Sequence, residues 1–295
     1  MSKTRRVIGF ASLFLVFALA VNAGNVPVNP AGVPANVEDV QVNVGMIPDA
    51  GATQVSLEDK APLKAYLGRT LGRSVNLVIP TNYNATVEAL GNGSLDFAYL
   101  GGLTYIKAHA LYGVVPLVQR SSDLQFHSYF ITTANSGIHS LKDVKGKTFA
   151  FGDINSTSGH LMPYLELRQA GVNPDSDLKY RYTGSHPATA KAVESGAADA
   201  GALDETVYNS MVSEGKLDPN KVRVFYTSKP FVDYVWVARK DVDQATQERF
   251  VQALINLKEG QNDDILRILR GKNYVRANNQ EYTILRLVAQ ELKML

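Results

Sequence analysis

The stretch "KTFAFGDINSTSGHLMP" (147–163) decides the class of fold. It contains the apolar run Phe149-Ala150-Phe151, which is typical of a buried strand. Three neighbouring hydroxyl residues, Ser156, Thr157 and Ser158, then precede a return of apolar periodicity. A strand followed by a loop and a helix is the repeating unit of an α/β protein. The sequence therefore predicts an α/β fold with three hydroxyl groups at one strand-to-helix junction.

The same alternation continues on both sides of this stretch. Helical patterns cover 57–72, 83–93 and 103–112 and lie between most of the strands. Alternating strands and helices indicate parallel α/β sheets. The predicted strands are 40–47, 74–80, 95–101, 127–134, 147–153, 178–184, 199–204 and 222–228.

Two extended segments, around 125–133 and 226–238, flank a central block of the chain. A chain that leaves one lobe, builds a second and returns needs two such crossings. We therefore expect two α/β lobes with a cleft between them, joined by a two-stranded hinge. The first lobe would hold residues 38–127 and 234–295, and the second residues 128–233. The C-terminal helical patterns, 243–260 and 282–295, would pack back on the first lobe.

Residues 1–23 have the features of a secretory signal peptide. Lys3, Arg5 and Arg6 precede an apolar run, and small residues follow at a plausible cleavage site. The run is shorter than the roughly 20 residues that a membrane span needs, which argues against an anchor. The uncharged, Pro- and Gly-rich segment 24–37 is interpreted as a flexible spacer. We expect an exported soluble protein located in the periplasm.

Composition excludes several classes of protein. The chain has no cysteine, so it has no disulfide, no thiolate nucleophile and no lipid-anchored cysteine. The predicted leader carries three of the 30 basic residues and none of the 28 acidic ones, which leaves 27 basic against 28 acidic residues. No basic stripe remains to indicate nucleic-acid binding. No motif indicates an enzyme, a metal site or a cofactor, and none of these is expected.

The three hydroxyls allow two interpretations. One hydroxyl is explained by helix capping, which Ser and Thr commonly perform. Ser156, Thr157 and Ser158 together also suit an oxyanion site, because hydroxyls and the free N–H groups of a helix start all donate hydrogen bonds. Pro163 removes one N–H near the first turn. The stretch alone leaves both interpretations open.

Other polar residues stand at comparable junctions. His186 precedes a predicted helix in "GSHPATAKAVESGAADAGALD" (184–204) and could donate to the same anion or lie at the surface. Asp204 ends a strand, where it could accept a proton or an amine from a ligand, or cap the next helix. Tyr83 and Tyr99 stand where open α/β sheets place ligands, although core packing also explains them.

Several motifs together make the chain resemble the phosphonate/phosphite-binding proteins of ABC importers. They cover about residues 38–295, and "STSG" with the downstream "GSH" is the most specific combination. The matching stretches are "VGMIPDA" (44–50), "TNYNATVEAL" (81–90), "LDFAYLGGLTYIKA" (95–108), "LKDVKGKTFAFGDINSTSGHLMP" (141–163), "YTGSHPATAKAVESGAADAGALD" (182–204) and "YTILRLVAQEL" (282–292).

This resemblance implies the type II periplasmic-binding-protein fold with a ligand cleft between its lobes. It also implies that the three hydroxyls hold a phosphorus oxyanion from the second lobe, with His186 donating beside them and Tyr83 donating from the first lobe. Phe126 and His127 match a pocket segment of the family. Asp204 stands where aminoalkyl-phosphonate binders of the family carry a carboxylate.

The expected function is capture of phosphite, methylphosphonate or hypophosphite for an inner-membrane ABC permease, by a monomer. A small ligand is favoured because Phe126 replaces a possible tyrosine hydroxyl. Alternatives are a binder of phosphate or of larger alkyl- or aminoalkyl-phosphonates, a sensory binding protein, and an exported enzyme. The enzymes on this architecture rely on a cysteine, which this chain lacks.

Overall fold

The computed structural model describes residues 41–50 and 54–295. The predicted signal peptide (1–23) and spacer (24–37) lie outside the described residues. Within those ranges, no helix combines the length and apolar character that a membrane crossing requires.

Strands and helices alternate along most of the described chain. The strands are β1 (Val42–Met46), β2 (Val75–Val78), β3 (Phe97–Leu100), β4 (Val115–Arg120), β5 (Ser128–Thr133), β6 (Thr148–Phe151), β7 (Lys179–Tyr182), β8 (Ala200–Asp204), β9 (Val222–Thr227), β10 (Val235–Ala238) and β11 (Tyr274–Arg276). The helices are α1 (Gln54–Glu58), α2 (Ala61–Leu71), α3 (Tyr83–Gly91), α4 (Gly102–Tyr112), α5 (Met162–Gln169), α6 (Pro174–Asp177), α7 (His186–Glu194), α8 (Glu205–Ser213), α9 (Gln244–Ile255), α10 (Asp263–Ile268) and α11 (Thr283–Glu291). Strands β4 and β11 were not predicted, and the single helix predicted at 57–72 is divided into α1 and α2.

The strands form two sheets, one in each lobe, which we call the first sheet and the second sheet. The first has the order β11-β4-β10-β3-β1-β2, and the second has the order β7-β6-β8-β5-β9. The two-lobe α/β fold is as predicted. The residue bounds of the lobes, 38–127 with 234–295 and 128–233, stay a prediction.

The predicted parallel pairing holds for part of each sheet, and both sheets also contain antiparallel pairs that the alternation of strands and helices did not predict. β1 runs parallel to β2 and β3, and β6 runs parallel to β7 and β8. However, β10 is antiparallel to β3 and β4, and β5 is antiparallel to β8 and β9. The physical reason is the connection between the lobes: β5 begins just after the chain enters the second sheet, and β10 just after it returns to the first.

The two crossings lie side by side as an antiparallel pair, which forms the predicted two-stranded hinge. Phe126 N–H donates to the Phe231 carbonyl at 2.8 Å, and Phe231 N–H donates back at 3.0 Å. A buried ion pair between Arg120 and Asp123 stands where the first crossing begins, with Nε 2.8 Å from Oδ2. The Asp233 N–H on the returning segment donates to the Asp123 carbonyl at 3.0 Å.

Apolar side chains cover both faces of the second sheet. Phe149 and Phe151 of β6 point into one buried cluster, and Ala150 between them points into the other. This alternation is the period of two expected for a strand. In the first lobe, α9 packs on the sheet through Phe250, whose ring stacks on Phe97 with centroids 4.3 Å apart. Leu285 of α11 is buried in the same core, as the prediction for the C-terminal helices requires.

Candidate functional site

The hydroxyl stretch folds into a π-helical turn, Thr157–Leu161, directly before α5. Single π turns are rare and are frequent at functional sites. The backbones of two glycines approach each other closely at this turn. Gly152 N–H donates to the Gly159 carbonyl at 2.8 Å. A Cβ on Gly159 would lie 2.9 Å from Ser156 Oγ and 3.1 Å from the Gly152 Cα. The turn therefore requires glycine at position 159, where Ser156, Gly152 and the His186 ring leave no space for a side chain.

The three hydroxyls have different environments. Ser156 Oγ accepts from Gly159 N–H at 3.0 Å and caps the turn. Thr157 Oγ1 accepts from Leu103 N–H at 2.9 Å, which joins the second lobe to the first turn of α4. Ser158 Oγ is buried and has no hydrogen-bond partner among the described residues. Helix capping thus explains the hydroxyl of Ser156, and a contact between the lobes explains that of Thr157. Neither explains the buried hydroxyl of Ser158.

His186 is the first residue of α7 and is fully buried. Its Nδ1 accepts from Asp204 N–H at 3.3 Å, so Nε2 carries the proton of the neutral ring. Nε2 lies 3.4 Å from the Tyr234 hydroxyl. Burial lowers the pKa of His186 and keeps the ring neutral at pH 7. The backbone N–H of His186 donates to the Asp49 carbonyl of the first lobe at 3.1 Å.

Asp204 ends β8 and caps α8. Its Oδ1 accepts from Thr206 Oγ1 at 2.7 Å and from Val207 N–H at 2.9 Å. Its Oδ2 is buried with no partner in the described ranges. Burial acts to raise the pKa of Asp204, but its interactions with the His186 ring, with the guanidinium groups of Arg270 and Arg120 and with the Thr206 hydroxyl bring the pKa below its ordinary value. Asp204 is therefore an ionised acceptor, and the cap uses one of its two oxygens.

The first lobe contributes two buried tyrosines, and neither hydroxyl has a partner within the described part of the chain. Tyr83 opens α3, where Asn82 caps the helix by accepting from Ala85 N–H at 2.8 Å. Burial and nearby acidic side chains raise the pKa of Tyr83, so it remains a neutral donor. Tyr99 stacks on Tyr234 with ring centroids 4.9 Å apart, which combines core packing with a free hydroxyl.

The predicted pocket segment at the hinge is engaged in structural contacts. The His127 ring pairs through Nδ1 with the Ser228 carbonyl at 2.8 Å, and its backbone N–H donates to Glu205 at 3.1 Å. The Phe126 ring packs edge-on against Tyr234 with centroids 5.5 Å apart. Phe126 thus packs on Tyr234, whose hydroxyl lies beside His186, whereas the His127 ring is hydrogen-bonded to the segment that returns through the hinge.

The sequence reasoning missed Asp233, which lies on that returning segment. Asp233 Oδ1 accepts from Gly102 N–H at 2.8 Å, and Oδ2 is buried with no partner among the described residues. Burial raises the pKa of Asp233 to about 8. A carboxyl that keeps its proton near pH 7 can donate a hydrogen bond. The available signal was an acidic residue set into the apolar run "FVDYVWVA" (231–238).

Buried polar atoms almost always have partners, so a group of them without one needs an explanation. Tyr83, Ser158, Asp204 and Asp233 each have a buried polar atom without a partner among the described residues. Together with His186, whose Nε2 lies 3.4 Å from the Tyr234 hydroxyl, we call them the cluster. It combines four donor groups with one ionised acceptor. No group of three or more metal-ligating side chains occurs among the described residues. The arrangement is suited to a small, partly protonated oxyanion held by mostly uncharged donors.

Residues 44–282 match the family model described as the phosphonate-specific periplasmic substrate-binding protein of ABC transporters. The chain belongs to this family. Its members are substrate-binding proteins and not enzymes, as the sequence predicted.

Two curated relatives are similar over much of the chain. A probable ABC transporter phosphite binding protein, PhnD1 of Prochlorococcus marinus strain MIT 9301, is 31% identical over 85% of this chain and 89% of the relative. The phosphate-import protein PhnD of Mycolicibacterium smegmatis is 30% identical over 60% of each chain. A solved structure of the Prochlorococcus PhnD1 in complex with methylphosphonate matches with a TM-score of 0.80 and 30% identity. It covers 86% of this chain and 99% of that chain. The type II periplasmic-binding-protein fold predicted from the sequence is thereby confirmed.

Proposed function

We propose that this protein captures phosphite or methylphosphonate between its two lobes and presents it to an ABC permease in the inner membrane. The observation that supports the proposal is a set of buried, unpartnered polar groups from both lobes that lie around Asp204. Tyr83, His186 and Asp233 each interact electrostatically with Asp204, and Ser158 precedes Gly159, which packs against the His186 ring. Tyr83 comes from the first lobe, Ser158 and Asp204 come from the second, and Asp233 comes from the hinge. The Prochlorococcus relative, which is named as a probable phosphite binding protein and was solved in complex with methylphosphonate, supports the same ligand class.

The charges of the cluster favour a ligand oxygen that keeps a proton. Ionised Asp204 would repel a fully deprotonated anion, but its Oδ2 can accept from a P–OH group. The Tyr83 and Ser158 hydroxyls and the His186 Nε2–H can donate to the remaining oxygens. A hydrogen bond to a charged group contributes roughly 1.5–3 kcal/mol. A few such bonds in a buried site are enough for micromolar binding or tighter.

Binding would be coupled to closure of the lobes. Contacts already join the lobes around the cluster: Lys107 Nζ donates to Asn155 Oδ1 at 2.6 Å, and Thr104 Oγ1 donates to the Asn155 carbonyl at 3.1 Å. A ligand that contacts both lobes favours the form in which these bonds exist. A permease could then distinguish the closed form from the open one.

Phosphate is the second candidate. The ionised Asp204 Oδ2 offers an acceptor for the extra hydroxyl of phosphate, and one relative is named as a phosphate-import protein. Steric fit would then have to discriminate between phosphate and the smaller phosphite.

Calorimetric titration of the mature protein with phosphite, methylphosphonate, 2-aminoethylphosphonate and phosphate tests the proposal. We expect Ser158→Ala and His186→Ala each to weaken binding of the preferred anion at least tenfold, since each removes one donor. Ser94→Ala and His139→Ala, at exposed positions, are the matched controls and should bind like the wild type. Unchanged affinity in both site variants would refute the assigned site, and tightest binding of phosphate would favour the second candidate.

A further inference from the structure

Arg270 lies between the lobes at the outer edge of the cluster. It follows α10 in the first lobe, and its guanidinium is largely buried in an ion pair with Asp49. Its Nε donates to Thr206 Oγ1 of the second lobe at 3.2 Å. The side chain is also close enough to Asp204 and Tyr234 for electrostatic interaction. Arg270 therefore contacts both lobes and faces the same groups as the proposed ligand.

The backbone holds Arg270 in this position at a conformational cost. Its φ is +50°, in the left-handed region that non-glycine residues avoid. The Arg270 carbonyl accepts from Arg120 Nη1 at 3.0 Å, which ties it to the buried Arg120–Asp123 pair of the hinge. A strained conformation that is fixed from two sides indicates that the position of the side chain matters.

A groove of about 510 Å³ lies outside Arg270 and is lined by both lobes. Ala50 and Lys60 contribute from the first lobe, and Pro187, Val207 and Met211 from the second. Within this lining, Val207 N–H donates to Asp204 Oδ1 at 2.9 Å, and Arg270 interacts with Asp204 through its charge. A ligand substituent that leaves the buried site on this side would have to pass the contact between Arg270 and Thr206 to reach the groove.

The charge of Arg270 adds an electrostatic restriction. A ligand ammonium group in the buried site needs a carboxylate partner. Asp49 and Asp204 are the carboxylates that interact with Arg270, whereas Asp59 and Glu214 line the groove outside it. Asp49 is paired with Arg270, and Asp204 lies within its field. A second cation beside a buried guanidinium would meet like-charge repulsion in a medium that screens it poorly.

We propose that Arg270 forms the outer wall of the ligand site and selects for small phosphorus oxyanions, excluding those with an ammonium-bearing or extended substituent. This inference rests on the proposed function. Arg270 acts as an internal cation in the place that a ligand amine would otherwise take, and its bond to Thr206 closes the exit toward the groove.

Two variants separate charge from size. Arg270→Met removes the charge and keeps most of the side-chain length, whereas Arg270→Gly removes both and also suits the positive φ. The titrants are methylphosphonate, 2-aminoethylphosphonate and uncharged propylphosphonate. We expect both variants to tighten binding of 2-aminoethylphosphonate relative to methylphosphonate at least tenfold. Only Arg270→Gly should tighten binding of propylphosphonate to a similar extent.

The control is Arg168→Ala, because Arg168 is an exposed arginine on α5 that does not line the groove. It should leave the affinity ratios of the wild type unchanged. Thermal unfolding verifies that each variant is folded. If the wild type binds phosphorus oxyanions but the ratios of both Arg270 variants stay within threefold of the wild type, the role of Arg270 is overturned and the proposed function stands. If the wild type binds none of these anions, the proposed function fails, and the role of Arg270 fails with it.

Discussion

Asp233→Asn should change how the stability of the protein depends on pH. The carboxyl is buried in the hinge with Thr157 close by, and Asp123 and Asp204 are the acidic groups that face it. Burial is the main cause that raises its pKa from 3.8 to about 8, and repulsion from these two acidic groups acts in the same direction. The folded state therefore retains a proton that the unfolded chain loses above pH 4. The contribution of this proton to stability is complete below pH 4 and disappears as pH rises through about 8.

The magnitude follows from linkage between protonation and folding. Where the folded state binds one proton more than the unfolded state, the free energy of unfolding falls by about 1.4 kcal/mol per pH unit. The full interval from 3.8 to about 8 sets a ceiling of about 6 kcal/mol. Asparagine keeps an acceptor for Gly102 N–H but does not titrate. The difference in unfolding free energy between the wild type and Asp233→Asn should therefore shift by about 2–3 kcal/mol between pH 5 and pH 7.

Urea denaturation at pH 5, 6, 7 and 8 measures this difference, and subtraction of the variant cancels the contributions of titrating groups that do not interact with Asp233. Asp241→Asn is the control, because Asp241 is an exposed aspartate that pairs with Arg239. Its curve should run parallel to that of the wild type. If the Asp233→Asn curve is parallel to the wild type as well, within about 0.5 kcal/mol, Asp233 is ionised in the folded protein and the reasoning is refuted.

Two further variants test the hydroxyl turn. Thr157→Val removes the acceptor for Leu103 N–H between the lobes. Because such a bond contributes about 1 kcal/mol, we expect ligand dissociation to accelerate about three- to tenfold in stopped-flow measurements. An unchanged dissociation rate would contradict a role of Thr157 in closure. Gly159→Ala would place a Cβ 3.1 Å from the His186 ring and should cost about 1–3 kcal/mol in denaturant unfolding. Gly137→Ala meets no atom within 4 Å and should leave stability unchanged.

The sequence predicted the fold well because its signals are local. The alternation of apolar runs and helical patterns located β1 to β3, β5 to β9 and several helices to within a few residues. The mixed direction of the sheets could not be predicted in this way, because strand direction depends on which strands become neighbours. β10 pairs with β3 across more than a hundred residues of intervening chain, and no local periodicity records that pairing.

The same difference between local and non-local signals explains why only part of the site was predicted. Ser158 and His186 stand at strand-to-helix junctions, where the pattern itself marks a position facing a cleft. Asp233 and Arg270 stand at no such junction. They reach the cluster through the hinge and through the segment after α10, and a lone acidic or basic residue in such a segment carries no distinguishing spacing.

The first turn of α4 explains why closure and binding involve the same bonds. Its first N–H groups have no partner within the helix. Gly102 N–H donates to Asp233 of the hinge, and Leu103 N–H donates to Thr157 of the second lobe. Opening the cleft would break the bond of Thr157, whereas the bonds of Gly159 to Gly152 and Ser156 hold the turn within the second lobe. A ligand that contacts Ser158 and the first lobe together favours the closed form in which the Thr157 bond exists, so binding and closure stabilise each other.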